Sequence, residues 1–163
     1  MNDPVDPYKS WLKFLETGVY QGESAFLKFA VLWLSFAGFL SSKYSITEQE
    51  RQKLEKFKQK YVKFYENILK EAEFKEVLLK FSKTKSPSRK YVINMQSRDE
   101  EDNDYFGEKD IVSFDMFIEV IYQIRCNFFH GAKIPDEDNE KLIKWAYDSF
   151  IYFWKAFVAQ YLN

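Results

Sequence analysis

The chain has 163 residues, 46% hydrophobic, 20% aromatic and 30% charged, and 24 Lys+Arg against 25 Asp+Glu leave a formal net charge of -1. That length suits one domain with its own core and is too short for two ordinary ones, and the near-neutral balance excludes a strongly cationic coat of the kind that grips any nucleic acid or anionic membrane. One cysteine, Cys126, excludes an internal disulfide and every multi-cysteine zinc pattern, while one histidine, His130, excludes paired-histidine metal sites. Only 5 Gly and 4 Pro punctuate the chain, which disfavours a many-turned sandwich or barrel. The expectation is an all-α domain over 1–163: a bundle of about five helices, with a core of rings and a long insertion before the penultimate helix.

Asp6-Pro7 opens the first predicted helix, because Asp caps well and Pro tolerates the first turn. Tyr8, Trp11, Leu12 and Leu15 recur along it at helical spacing, and Gly18 stops it. A second start follows Gly22. Phe26, Phe29, Ala30, Trp33, Ala37 and Leu40 form one face there, and Leu27, Val31 and Leu34 make the other apolar too, which predicts a central rod buried on all sides.

Ser45-Ile46-Thr47-Glu48 has the form of a capping box and marks a third helix, striped by Leu54, Phe57, Tyr61, Phe64, Tyr65 and Ile68. Glu73 to Phe81 continues helically after a bend. From Lys83 to Ser113 periodicity fails, as in a functional or disordered loop, with a short strand suggested near Val92. The acidic run from Asp99 to Asp104 fails as a calcium loop, since Phe106 falls where Asp or Asn is expected and Ser113 where a bidentate Glu is. The basic cluster Lys83, Lys85, Arg89 and Lys90 reads by default as an exposed loop. Ser113 caps the fourth helix, striped by Phe114, Phe117, Ile121, Ile124 and Phe128 and ended by Gly131. Pro135-Asp136 opens the last, with Ile143, Ala146, Tyr147, Phe150, Trp154, Phe157 and Tyr161 along one side.

The start, Met1-Asn2-Asp3-Pro4, has no basic leader before an apolar stretch, and residues 25–40 are interrupted by Lys28 and shorter than the ~20 apolar residues of a membrane span. With an unpaired thiol, the expectation is a cytoplasmic protein without a membrane partner.

On the fourth helix Glu119, Gln123, Asn127 and His130 recur at four, four and three residues and line up along one side. Arg125 stands five residues before His130, about 140° away around an ideal axis but close in height. A helix C-terminus favours an imidazolium, and a guanidinium beside it suits phosphate chemistry. Arg125 has a plainer reading as a structural ion pair with Glu119 or Asp115, and Asn127 as a helix-end hydrogen bond. Cys126 reads as a packed thiol, and Tyr122 and Phe129 are the rings placed to stack on a base beside the polar side.

The run Ile124-Arg125-Cys126-Asn127-Phe128-Phe129-His130-Gly131, on the penultimate helix of a small bundle, resembles the signature of the HEPN superfamily: Arg, four to six residues, then His. The resemblance extends from Val120 to Lys133, and more weakly to the aromatic-rich helix of residues 29–40. The residue after the Arg, usually Asn, Asp or His in that family, is here Cys126. The resemblance implies a metal-independent endoribonuclease without a cofactor, active as a homodimer in which two motifs face each other. His130 is then the general base or acid, Arg125 the phosphate-holding residue, and Asn127 a positioning group, with Gln123 and Lys133 as candidate substrate contacts. RNA is the substrate, and a toxin or defence role implies an inhibitory protein partner. A second reading is a catalytically idle module of the same kind that binds a nucleotide, RNA or a protein; Cys126 and the mildly acidic balance favour it.

Overall fold

The computed structural model describes residues 7–16, 24–82, 113–129 and 137–162. Among them the chain forms six α-helices and no strand: α1 (Pro7–Glu16), α2 (Ala25–Lys43), α3 (Glu50–Ile68), α4 (Ala72–Ser82), α5 (Phe114–Phe129) and α6 (Glu137–Tyr161). The all-helical bundle expected from composition is the architecture found. The helix stops at Gly18 and Gly131, the strand near Val92, the acidic run and the basic cluster of the insertion lie outside the described residues.

The third expected helix is two helices. At the end of α3, Leu69 N–H reaches Tyr65 O at 2.9 Å, but Lys70 N–H turns back to Asn67 O and Glu71 N–H to Ile68 O, both at 3.0 Å. These tighter three-residue bonds close the last turn and redirect the chain into α4. The Ser45 box also acts one turn early. Ser45 N–H donates to Glu48 Oε1 at 3.3 Å and Glu48 N–H to Ser45 O at 3.1 Å, closing a turn ahead of the helix. The helix itself starts at Glu50, with Gln49 N–H donating to Gln52 Oε1 at 2.9 Å. Ser113 does cap α5 as its sequence predicts, accepting from Met116 N–H at 3.2 Å.

Helix α1 packs on α2, α2 and α4 on α6, and α3 on α5. Side chains from all six helices join one core. The stripe predicted for α3 is buried throughout, and Phe57 is ringed by Phe36, Phe39, Phe114, Phe153 and Phe157 at centroid distances of 5.1 to 6.3 Å. A polar relay crosses this core. Trp154 Nε1–H donates to Ser35 Oγ at 2.9 Å, and Ser35 donates on to Tyr8 O at 2.8 Å, which ties α6, α2 and α1 together. A serine in the apolar centre of α2 is thereby satisfied.

The rod buried on nearly all sides is α5 rather than α2. Phe29, Leu32, Trp33, Phe36 and Phe39 of α2 are buried; on its second apolar side Val31 is buried too, but Leu27 and Leu34 are 39% and 42% exposed, so that side is only partly covered. By length and composition α2 is long and apolar enough to cross a bilayer; here one side of it is core. In α5 the buried set includes Phe117, Ile118, Val120, Ile121, Tyr122, Gln123, Ile124, Cys126 and Asn127, which spans the full circumference.

Candidate functional site

The last two turns of α5 carry the described part of the predicted site. The four-residue spacing of Gln123 and Asn127 brings them together as expected: Gln123 Nε2–H donates to Asn127 Oδ1 at 2.8 Å. Their surroundings differ from the expectation of a polar surface, because Gln123 is 2% and Asn127 4% exposed. The bond gives each of two buried amides on the same helix a polar partner. Glu119, the first residue of the same stripe, is partly exposed and faces α3 instead.

Arg125 lies on another side of the helix, as the turn angle requires. Its guanidinium sits in a niche of rings, 5.7 Å from the Trp33 centroid, 5.9 Å from Tyr122 and 5.4 Å from Phe129. Cations are attracted to such faces and lose little by partial burial among them. The side chain is 22% exposed. Nη2 pairs with Glu50 Oε2 at 3.2 Å, Nη1 points to Cys126 Sγ at 3.7 Å, and Nε is buried with no hydrogen-bond partner. Cys126 is buried, a packed thiol under the arginine.

The ion pair suggested for Arg125 from sequence is therefore the wrong one. Glu119 is taken by Arg51, whose Nη1 donates to both carboxylate oxygens at 2.8 and 3.0 Å, and Asp115 by Lys58 at 2.7 Å. Lys58 is nearly buried and also meets Glu55 at 2.7 Å and Glu119 at 3.9 Å. Burial alone would lower its pKa, but the hydrogen bonds it donates to Asp115 and Glu55 outweigh this and raise it. Arg51 is governed the same way, with Glu119 outweighing desolvation.

Between the two arginines lies Tyr122. Arg51 stands 5.3 Å from its ring centroid and Arg125 5.9 Å. Burial, then the neighbouring Cys126 and Glu50, push its hydroxyl up to about 12, with Arg125 opposing. The ring is 8% exposed and so is a core ring that supports both cations, not an open stacking platform. Phe129 is different: 45% exposed, it lines a groove of about 580 Å³ together with Phe26, Leu27, Ala30 and Phe128, and Glu140 stands at the same groove.

His130 and Lys133 lie outside the described residues. Among the described residues no group of three or more His, Cys, Asp or Glu could hold a metal ion. Sequence reasoning missed Glu50, Arg51 and Trp33 as neighbours of the site. Glu50 and Arg51 read as ordinary charges at a helix start, and a pairing between positions 68 apart leaves no local signal. Comparison with protein-family models, curated proteins and solved structures finds no match.

Proposed function

We propose that the protein is a metal-independent endoribonuclease, working as a homodimer without a cofactor, and that a partner protein restrains it in a toxin or defence setting. The observation that supports this reading is the placement of Arg125. One turn from the end of α5, the motif arginine is partly open to solvent, set on three rings and, among the described residues, held by a single carboxylate. A guanidinium so mounted can present its planar donors to a phosphate without first being dug out of the core.

RNA carries its own nucleophile, so the protein has only to move protons and balance charge. In this reading His130 removes the 2′-hydroxyl proton, and O2′ attacks the adjacent phosphorus. The bond from phosphorus to O5′ then breaks, and a proton is delivered to the departing oxygen. Arg125 holds the non-bridging oxygens and stabilises their charge as the phosphorus becomes crowded. The products are a 2′,3′-cyclic phosphate and a 5′-hydroxyl end. Asn127 acts through the buried Gln123 bond as a positioning group for the end of α5, and Lys133 remains the candidate backbone contact. The test is cleavage of RNA in excess EDTA by the purified protein, with loss of activity in His130→Ala. Strict dependence on added magnesium or manganese would overturn the mechanism.

A second reading, an idle module that binds RNA, a nucleotide or a protein, draws on the charge pairing of the site. Both arginines beside Tyr122 already have carboxylate partners, so the described surface there is electrically balanced. Binding without cleavage by wild-type protein, unaffected by His130→Ala, would select it.

A further inference from the structure

Glu50 is the first residue of α3, so its carboxylate lies at the positive end of that helix as well as 3.2 Å from Arg125 Nη2. Its side chain is 31% exposed and that of Arg125 22%, so a solvent-borne anion has access to the pair. Of the other guanidinium donors, among the described residues Nη1 faces only a thiol sulfur, a weak acceptor, and Nε is buried without a partner. The neighbouring cations are engaged elsewhere, Arg51 with Glu119 and Lys58 with Asp115 and Glu55. Glu50 thus fills the kind of donor site that a phosphodiester oxygen would take.

We infer that Glu50 is a displaceable competitor for Arg125: a phosphodiester of single-stranded RNA takes the guanidinium by exchange with this carboxylate. The inference rests on the reading of Arg125 as the phosphate-holding residue. Two features make the exchange feasible. The released carboxylate remains beside the first-turn amides of α3, where negative charge is favoured. The guanidinium keeps its three ring contacts whichever anion it faces. A phosphate arriving before Glu50 has moved meets like charge at close range, so Glu50 weakens substrate binding and leaves the chemical step alone. It is a positioning residue acting through Arg125.

The experiment measures equilibrium binding of a non-cleavable 2′-fluoro oligoribonucleotide to wild type, Glu50→Gln, Arg125→Ala and the double variant, each checked for folding by thermal melting. Glu50→Gln is expected to bind about three- to ten-fold more tightly at low salt, with the gain shrinking as salt rises. Glu50→Asp, which keeps the charge, should show no gain, and the gain should vanish in the Arg125→Ala background. In cleavage assays Glu50→Gln should lower KM and leave kcat unchanged. Equal or weaker binding by folded Glu50→Gln, an equal gain in Glu50→Asp, a gain that persists without Arg125, or no binding by any of the five proteins overturns the exchange. The ribonuclease reading is decided separately, by cleavage of unmodified RNA and its loss in His130→Ala. A protein that binds by exchange but does not cleave fails that reading alone, and one that cleaves with its affinity indifferent to Glu50→Gln fails the exchange alone.

Discussion

Under the proposed function Arg125 combines two roles that are usually separable, a chemical group and a packed one. Position on the helix suggests a side chain off the apolar stripe that can be removed without loss of fold. The three ring contacts and 22% exposure alter that expectation. Arg125→Ala should abolish cleavage and also cost about 1–2 kcal/mol of stability, because stacked methylenes and cation–ring contacts go with the charge. Arg125→Lys should recover part of the stability in chemical unfolding but little of the activity, since an ammonium has no planar fork. The tyrosines give a second residue-scale prediction, on pH. Tyr44 is pushed up to about 12 by burial, Tyr61 and Glu48; Tyr122 to about 12 chiefly by burial; Tyr152 to about 12 chiefly by its 2.7 Å hydrogen bond to Glu71. Burial also raises Tyr65. A folded pKa above the unfolded value of about 10 means that the folded state holds its phenolic protons more tightly. The associated stability is complete below about pH 10 and is lost as pH rises towards 12. Phenolate absorbance should therefore rise together with loss of helical circular dichroism; full ionisation of these tyrosines in a still-folded protein would contradict the assignment.

At the scale of the helix, register was legible and depth was not. Spacing of three and four residues identified the buried stripe of α3 without error, because six large apolar residues on one side leave only one way to face the core. The same logic failed on α5, where Gln123 and Asn127 read as a wet side. Two amides four residues apart can satisfy each other inside the protein, and no composition rule distinguishes that pair from an exposed one. It also failed in part on α2, where Leu27 and Leu34 of the second apolar side are exposed while Val31 between them is buried. Phe117 is fully buried against Tyr65, Phe74 and Phe153, so Phe117→Ala should cost about 3–5 kcal/mol in denaturant unfolding. Phe128 is only partly buried, in edge contact with Phe26 at 4.9 Å, and Phe128→Ala should cost distinctly less. Ser35→Ala strands the Trp154 indole N–H and removes the tie to Tyr8 O, and about 1–3 kcal/mol should be lost. A melting temperature unchanged in Ser35→Ala would show that the relay contributes nothing net.

For the whole molecule, the proposed site was legible as a motif and illegible as an environment. The spacing of Arg125 and His130 is a property of six consecutive residues, whereas Glu50, Arg51 and Trp33 reach Arg125 or its neighbour Tyr122 only through the packing of α2 and α3 against α5. That packing bears on assembly. Two motifs brought together would not create a strongly positive cleft, because each Arg125 arrives with Glu50 and each Arg51 with Glu119. The case for a composite site then rests on geometry. On an ideal helix Arg125 and the position of His130 diverge by about 140°, so one chain encloses a phosphate poorly, and a two-fold axis near the end of α5 would let the arginine of one chain serve the histidine of the other. Exposed Phe129 and Leu27, which line one groove at this end of the bundle, supply apolar surface for such a contact. The prediction is complementation: Arg125→Ala and His130→Ala protomers, each inactive alone, are co-refolded and assayed. Random pairing makes about half the dimers mixed, and each mixed dimer has one of its two sites intact, so about a quarter of wild-type activity should return. Because Arg125→Ala also weakens the fold, the assay belongs well below its melting temperature, with mixing verified by pull-down of differently tagged chains. If verified heterodimers stay inactive, the arginine and histidine of a site come from the same chain; if active wild type sediments as a monomer, no shared site exists.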